Sequence, residues 1–199
     1  MTRPTAFIDG CRATHVTLER HIAGLTDEVA RQPSLLPDWT VGHVLTHLAR
    51  NADSVVRRVE GAMRDEVVDQ YVGGREGRAN EIEAGANRSA AELIADVHTT
   101  DAAVDALLAS APDDIWDRLT RPVGGGEQPV TAVVFSRWRE VEVHLVDLGL
   151  GYLPSQWPAG VVDEWLPGMV IGLHQRADAN ALLAWTLGRG PAPELIPWG

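Results

Sequence analysis

Apolar residues return every three or four positions along most of the chain up to Gly151. That is the mark of helices burying one face. Phe7, Cys11, Thr14, Leu18, Ile22 and Leu25 keep this spacing and predict a first helix over residues 5–30. Gln32 to Asp38 carries two prolines and no period, and reads as a linker. Thr40 stands where it can cap a second helix running to about Asp69, with Val41, Val44, Leu45, Leu48, Val55, Val56 and Val59 on its apolar face. Gly73-Gly74 interrupts the pattern. A third helical stretch begins near Arg75 and breaks near Asn87-Arg88. There Ser89-Ala-Ala-Glu92 has the form of a capping box, and the helix continues to about Leu108. Residues 111–129 form a Pro- and Gly-rich loop with Gly124-Gly-Gly126 at its tip, and a fourth helix is predicted from about Val130 to Leu148.

Four helices of this length joined by polar loops predict an all-α protein built as a four-helix bundle. Two of the linkers are long, so a simple up-down order is not required. The character changes after Gly151. Trp157, Trp165, Trp185 and Trp198 fall there, with half of the prolines. One helix is predicted at 160–175, and Ala181 to Leu187 fits helix or strand. The expected division is therefore a bundle over residues 1–153 and a short appendage over 154–199 packed on it, too small to be an independent domain.

Composition narrows the partners. The net charge is −11, which argues against nucleic acid and anionic membranes. All 17 basic residues are arginine, a GC-rich coding bias consistent with an actinobacterial source. A single cysteine, Cys11, rules out an intrachain disulfide and a paired-cysteine metal site. It falls on the core face of the first helix and reads as packing. The N-terminus leads into no apolar segment, and no apolar run approaches the ~18 residues of a membrane span. A cytoplasmic protein is expected.

The chemistry concentrates in Glu140-Val-Glu-Val-His144. Residues four apart on a helix share a face. Glu140 and His144 therefore project together from a helix that otherwise carries Val134, Phe135, Trp138, Val141 and Leu145. A carboxylate on such a face needs a partner. One more imidazole would complete a three-ligand set with an open position, as in catalytic zinc sites. His43 and His47 on the second helix are also four apart, and by spacing either can supply it. His43-Val-Leu-Thr-His47 lacks the glutamate of a zinc-protease helix, so that chemistry is excluded. Glu142 is expected to point away and to be solvated. Gly124-Gly-Gly126 is not followed by the Lys-Ser/Thr pair of a phosphate loop.

Three segments carry a likeness. Leu36-Pro-Asp-Trp-Thr-Val-Gly-His-Val-Leu-Thr-His-Leu-Ala-Arg-Asn51 resembles the second-helix signature of mycothiol-dependent maleylpyruvate isomerases, members of the DinB-like superfamily of metal-binding four-helix bundles. Arg137-Trp-Arg-Glu-Val-Glu-Val-His-Leu-Val-Asp-Leu-Gly-Leu-Gly151 resembles the fourth-helix signature. Tyr71-Val-Gly-Gly-Arg-Glu-Gly-Arg-Ala-Asn-Glu-Ile-Glu-Ala-Gly85 is similar to the start of the third helix.

The resemblance covers residues 5–153. It implies that His47, Glu140 and His144 bind Zn2+ or another divalent metal, and that Arg78 is a functional arginine near it. It also implies a longer C-terminal domain than the chain retains. The motif Trp185-Thr-Leu-Gly-Arg-Gly190 is kept, and it makes Arg189 a second catalytic arginine.

The implied partners are a low-molecular-weight thiol, mycothiol, and a small unsaturated acid. The implied reaction is cis–trans isomerisation by thiolate addition, rotation and elimination. The arginines would serve the substrate carboxylates. Two other functions fit the same residues: a mycothiol S-transferase acting on another electrophile, and a non-catalytic bundle that binds metal or small molecules.

Overall fold

A computed structural model describes residues 2–196; Trp198 lies outside the described residues. The helices are α1 (Thr5–Ile22), α2 (Asp27–Ala30), α3 (Val41–Met63), α4 (Gly74–Gly85), α5 (Ala90–Ser110), α6 (Val130–Asp147), α7 (Ala159–Gly172) and α8 (Ala179–Thr186). A two-residue ribbon, β1 (Leu119–Thr120) paired antiparallel with β2 (Gln128–Pro129), crosses the loop before α6. The chain divides into two compact units, Met1–Gln156 and Trp157–Gly199. No helix among the described residues is long and apolar enough to cross a membrane.

The first unit is the expected four-helix bundle, made by α1, α3, α5 and α6. Each of α1 and α3 packs on both α5 and α6. Cross-helix pairs set the directions. Phe7 meets Phe135 and Thr14 meets Glu142, so α1 and α6 run parallel. His47 meets Glu140 and Asn51 meets Arg137, so α3 and α6 run antiparallel. Arg88 meets Thr46 and Asp96 meets Arg50, so α5 follows α3 in the same direction. Two consecutive parallel helices require the chain to travel back along α3, whose 23 residues span about 35 Å at ~1.5 Å each. The turn after α3, together with α4, makes that return.

Two boundaries differ from the sequence reading. The predicted first helix stops at Ile22, and Thr26 restarts the chain by capping α2, its side chain accepting from Val29 N. The second helix ends at Met63 rather than near Asp69. Asp65 takes a left-handed conformation (φ 60°), and the Asp65 and Glu66 amides donate back to the Ala62 and Gly61 carbonyls. This is a Schellman ending with aspartate where glycine is usual. The third stretch is two helices, α4 and α5. The break falls where the Ser89–Glu92 capping box was read, and both of its hydrogen bonds are present. In the second unit, the segment that fitted helix or strand is helical as α8.

The core is apolar around Leu18, Leu45, Leu48, Val59, Leu93, Val134 and Leu145, all buried. Glu142 corrects an expectation. It is 2% exposed, not solvated. Thr14 Oγ1 donates to one carboxylate oxygen, and Tyr152 OH donates to the other at 2.5 Å. Thr14 comes from α1 and Tyr152 from the segment just after α6, and together they satisfy a carboxylate that would otherwise be costly to bury.

The start of α3 is wedged against backbone. A Cβ on Gly42 would lie 2.1 Å from the Ala86 carbonyl oxygen and 3.3 Å from that of Ala30. Gly42→Ala should gain up to about 1 kcal/mol of helix propensity and lose more to this overlap. The expected net destabilisation is about 1–3 kcal/mol, read from urea unfolding. Gly24→Ala points into open space and is the control. Equal stability of the two variants would contradict the close packing at Gly42.

Candidate metal centre

The opening turn of α3 decides which histidine faces the centre. Thr40 caps the helix, and its side chain accepts from His43 N at 3.3 Å. The His43 ring reaches back, so that Nδ1 accepts from Thr40 N at 3.2 Å. Its Nε2 lies 3.2 Å from Glu83 Oε2. His43 is thus used up as half of a capping box. His47, one turn on, turns to α6 and is 1% exposed.

Glu140 and His144 meet it there. His47 Nε2 is 2.8 Å from Glu140 Oε1, and His144 Nε2 is 3.6 Å from the same oxygen. The two imidazoles cross edge to face, 4.7 Å between centroids. One ligand atom from each of the three residues lies within 4.8 Å of the others. On the far side of His144, Nδ1 lies 2.8 Å from Asp147 Oδ2. Arg78 on α4 donates from Nη2 to His47 Nδ1 at 3.2 Å. Its guanidinium sits over the rings of Trp39 and Tyr71, at 5.8 and 5.9 Å. Trp39, just before α3, thus stands against both His47 and Arg78.

The electrostatics split the two histidines. Burial is the largest influence on His47 and lowers its pKa to about 4; His144 and Arg78 add to this against the pull of Glu140. Burial acts to raise Glu140, but hydrogen bonds with His144 and His47 hold it well below the usual carboxylate range. Burial opposes charge on His144 too, yet Asp147 and Glu140 outweigh it and raise the pKa to about 9. At neutral pH the cluster without metal holds a neutral His47, an anionic Glu140 and a protonated His144.

Two imidazoles and one carboxylate fit a divalent cation of borderline softness such as Zn2+. The Asp147–His144 pair supplies the carboxylate that commonly orients a ligating imidazole. The structure therefore brings together His47, Glu140, His144 and Arg78. Arg189 belongs to the second unit; it follows α8, is exposed, and donates to Leu187 O at 3.3 Å. Reading the sequence left Asp147 out of the site, although its i+3 spacing from His144 was a usable signal.

A helical bundle with this cluster between its second and fourth long helices is a DinB-like fold. Within that class the chain belongs to the mycothiol maleylpyruvate isomerase N-terminal domain family, whose model matches residues 11–149. Two solved structures are similar. One is described as the crystal structure of the mycothiol-dependent maleylpyruvate isomerase, with a TM-score of 0.77 and 24% identity. The other is a histidine-to-alanine mutant of the mycothiol-dependent maleylpyruvate isomerase, with a TM-score of 0.76 and 23% identity. Each match covers 80% of this chain and 66% of the solved one, so this chain spans just under two thirds of their length. No curated protein matches the chain.

Proposed function

We propose that this protein is a zinc- and mycothiol-dependent cis–trans isomerase of maleylpyruvate-like unsaturated acids, working by thiol addition, bond rotation and elimination. The observation that carries the reading is the convergence of His47, Glu140 and His144, with Arg78 against His47, inside the fold of this family.

His47, Glu140 and His144 would hold the metal. A bound Zn2+ supplies a Lewis-acid position at which a thiol ionises near neutral pH. The chain's own residues do the rest. Burial keeps His47 neutral and so available as a donor. Asp147 holds the Nδ1 proton of His144, which leaves Nε2 as the ligating atom. Trp39 and Tyr71 fix the Arg78 guanidinium beside the cluster, where a permanent cation can take a substrate carboxylate or the charge of an enolate. Arg189 is proposed as a second such cation.

The test is direct. The purified chain is mixed with mycothiol and maleylpyruvate, and the products are followed by absorbance and mass spectrometry. Catalytic formation of the trans isomer, lost in Arg78→Ala by about 10²-fold or more in kcat/KM, is the expected result. Accumulation of a stable thiol adduct would make the protein an S-transferase. No turnover with a panel of electrophiles would leave a binding bundle.

A further inference from the structure

Two arginines on the bundle helices are almost wholly buried, and they differ sharply. Arg137 on α6 is 1% exposed and fully engaged. Its guanidinium meets the Asp101 carboxylate, His15 Nε2, the Leu48 carbonyl and Asn51 Oδ1. Arg58 on α3 is 2% exposed. Among the described residues its guanidinium has one partner, the Ser54 carbonyl, to which Nε donates at 3.3 Å. Among the described residues, the four N–H groups of the outer fork have no acceptor and no carboxylate within ion-pair distance. A guanidinium in a bundle interior is expensive without a counter-charge. The fork is nevertheless not walled in, because its nitrogens are absent from the buried atoms that lack both solvent contact and a partner.

Position says what the fork is for. Arg58 follows His47 by eleven residues, which returns it to within about 20° of the same helix face. Helical side chains lean toward the N-terminus, and the bond to the Ser54 carbonyl shows this one doing so, back toward the His47 level. Burial lowers its pKa to about 10, and the groups that favour its charge are Tyr71 and Glu140. Tyr71 is also the ring beneath Arg78. The one carboxylate at hand, Glu140, is already committed to His47 and His144. The free fork therefore matches a carboxylate from outside the protein. A planar guanidinium takes a carboxylate bidentately where an ammonium cannot.

We infer that Arg58 is a substrate-binding residue, whose buried fork receives a carboxylate of the unsaturated acid handled at the His47–Glu140–His144 cluster. The identity of the acid rests on the isomerase reading; the anion site itself does not.

Maleate, a cis-unsaturated dicarboxylate, is the probe. It is titrated calorimetrically into the zinc-loaded full chain and into its Arg58→Met and Arg58→Lys variants. Expected are a Kd raised at least tenfold in Arg58→Met, a smaller rise in Arg58→Lys, and unchanged zinc content in both. With maleylpyruvate as substrate, the loss should lie mainly in KM. If Arg58→Met does not fold, Arg58→Lys keeps the charge and the stem and carries the test through the thermal shift that maleate induces. Maleate binding to wild type that is equal in a folded variant would overturn the inference and leave the isomerase reading standing. Arg58-dependent maleate binding without any isomerisation would do the reverse. A wild type that does not bind maleate overturns the inference outright.

Discussion

Wild-type protein purified without chelator is expected to carry about one divalent metal per chain, and His47→Ala, Glu140→Ala and His144→Ala are expected to carry almost none. The geometry behind this is the approach of three donor atoms to within 4.8 Å of one another. Removing any one leaves a two-donor site too weak to survive purification. Asp147→Ala tests the next layer. It removes the partner of His144 Nδ1 and should weaken metal binding by about 10–100-fold without abolishing it. Elemental analysis and competition with a chromogenic chelator read both results. A metal-free wild type that gains no metal on dialysis against zinc would sink the proposed chemistry.

The same cluster predicts that metal removal leaves the protein folded. Without metal, Glu140 still pairs with His47, and His144 still pairs with Asp147. The buried polar atoms of these four residues keep partners, so the chelated protein should unfold cooperatively rather than collapse as a zinc finger does. Uptake should also release a proton. His144 keeps its proton up to about pH 9 in the metal-free state and must lose it to coordinate. His47, at about 4, is already neutral there. Apparent affinity should therefore rise with pH, by about tenfold per unit, and level off near 9. Calorimetry in buffers of different ionisation enthalpy counts the proton; a flat profile between pH 6 and 8 would contradict the His144 assignment.

The centre was legible in the sequence because its parts obey a short-range rule. Glu140 and His144 are four apart on a strongly periodic helix, and the likeness across the second and fourth long helices named His47. The spacing could not reject His43; a capping interaction did, and it depends on the turn at Thr40. What stayed hidden was set by distant partners. Glu142 looked solvated because its partners lie outside its own helix: Thr14 reaches it from α1 across the bundle, and Tyr152 from the turn after α6. The end of α3 was misplaced because Asp65 fills a left-handed position where the expected stop signal is glycine. Arg58 stands beside Arg57 and two residues before Glu60, and charged side chains of this kind are ordinarily solvated. Only its burial separates it from its neighbours.

The largest stability effect is expected at Asp101. This carboxylate is 1% exposed and meets the Arg137 guanidinium across the bundle, with His15 Nε2 at 3.5 Å from the same oxygen. Asp101→Leu leaves the Arg137 charge buried with no counter-ion on it, beside His15, Asn51 and the Leu48 carbonyl. Breaking such a pair from one side costs about 3–5 kcal/mol, because the remaining ion keeps its desolvation penalty. Against a total of about 5–15 kcal/mol, that brings the bundle close to its limit. Removing both charges, as in Asp101→Leu with Arg137→Met, should restore most of the loss, since matched apolar groups need no counter-ion. Urea unfolding of the two single variants and the double one gives the coupling, and a single-variant cost below about 1 kcal/mol would contradict the account. The double variant also asks what the pair does for the site. Arg137 lies one turn before Glu140 on α6 and holds Asn51, one turn after His47 on α3. If this bond sets the spacing between the helices that carry the ligands, the double variant should recover most of the stability yet bind metal more weakly. Equal metal affinity would confine the network to folding.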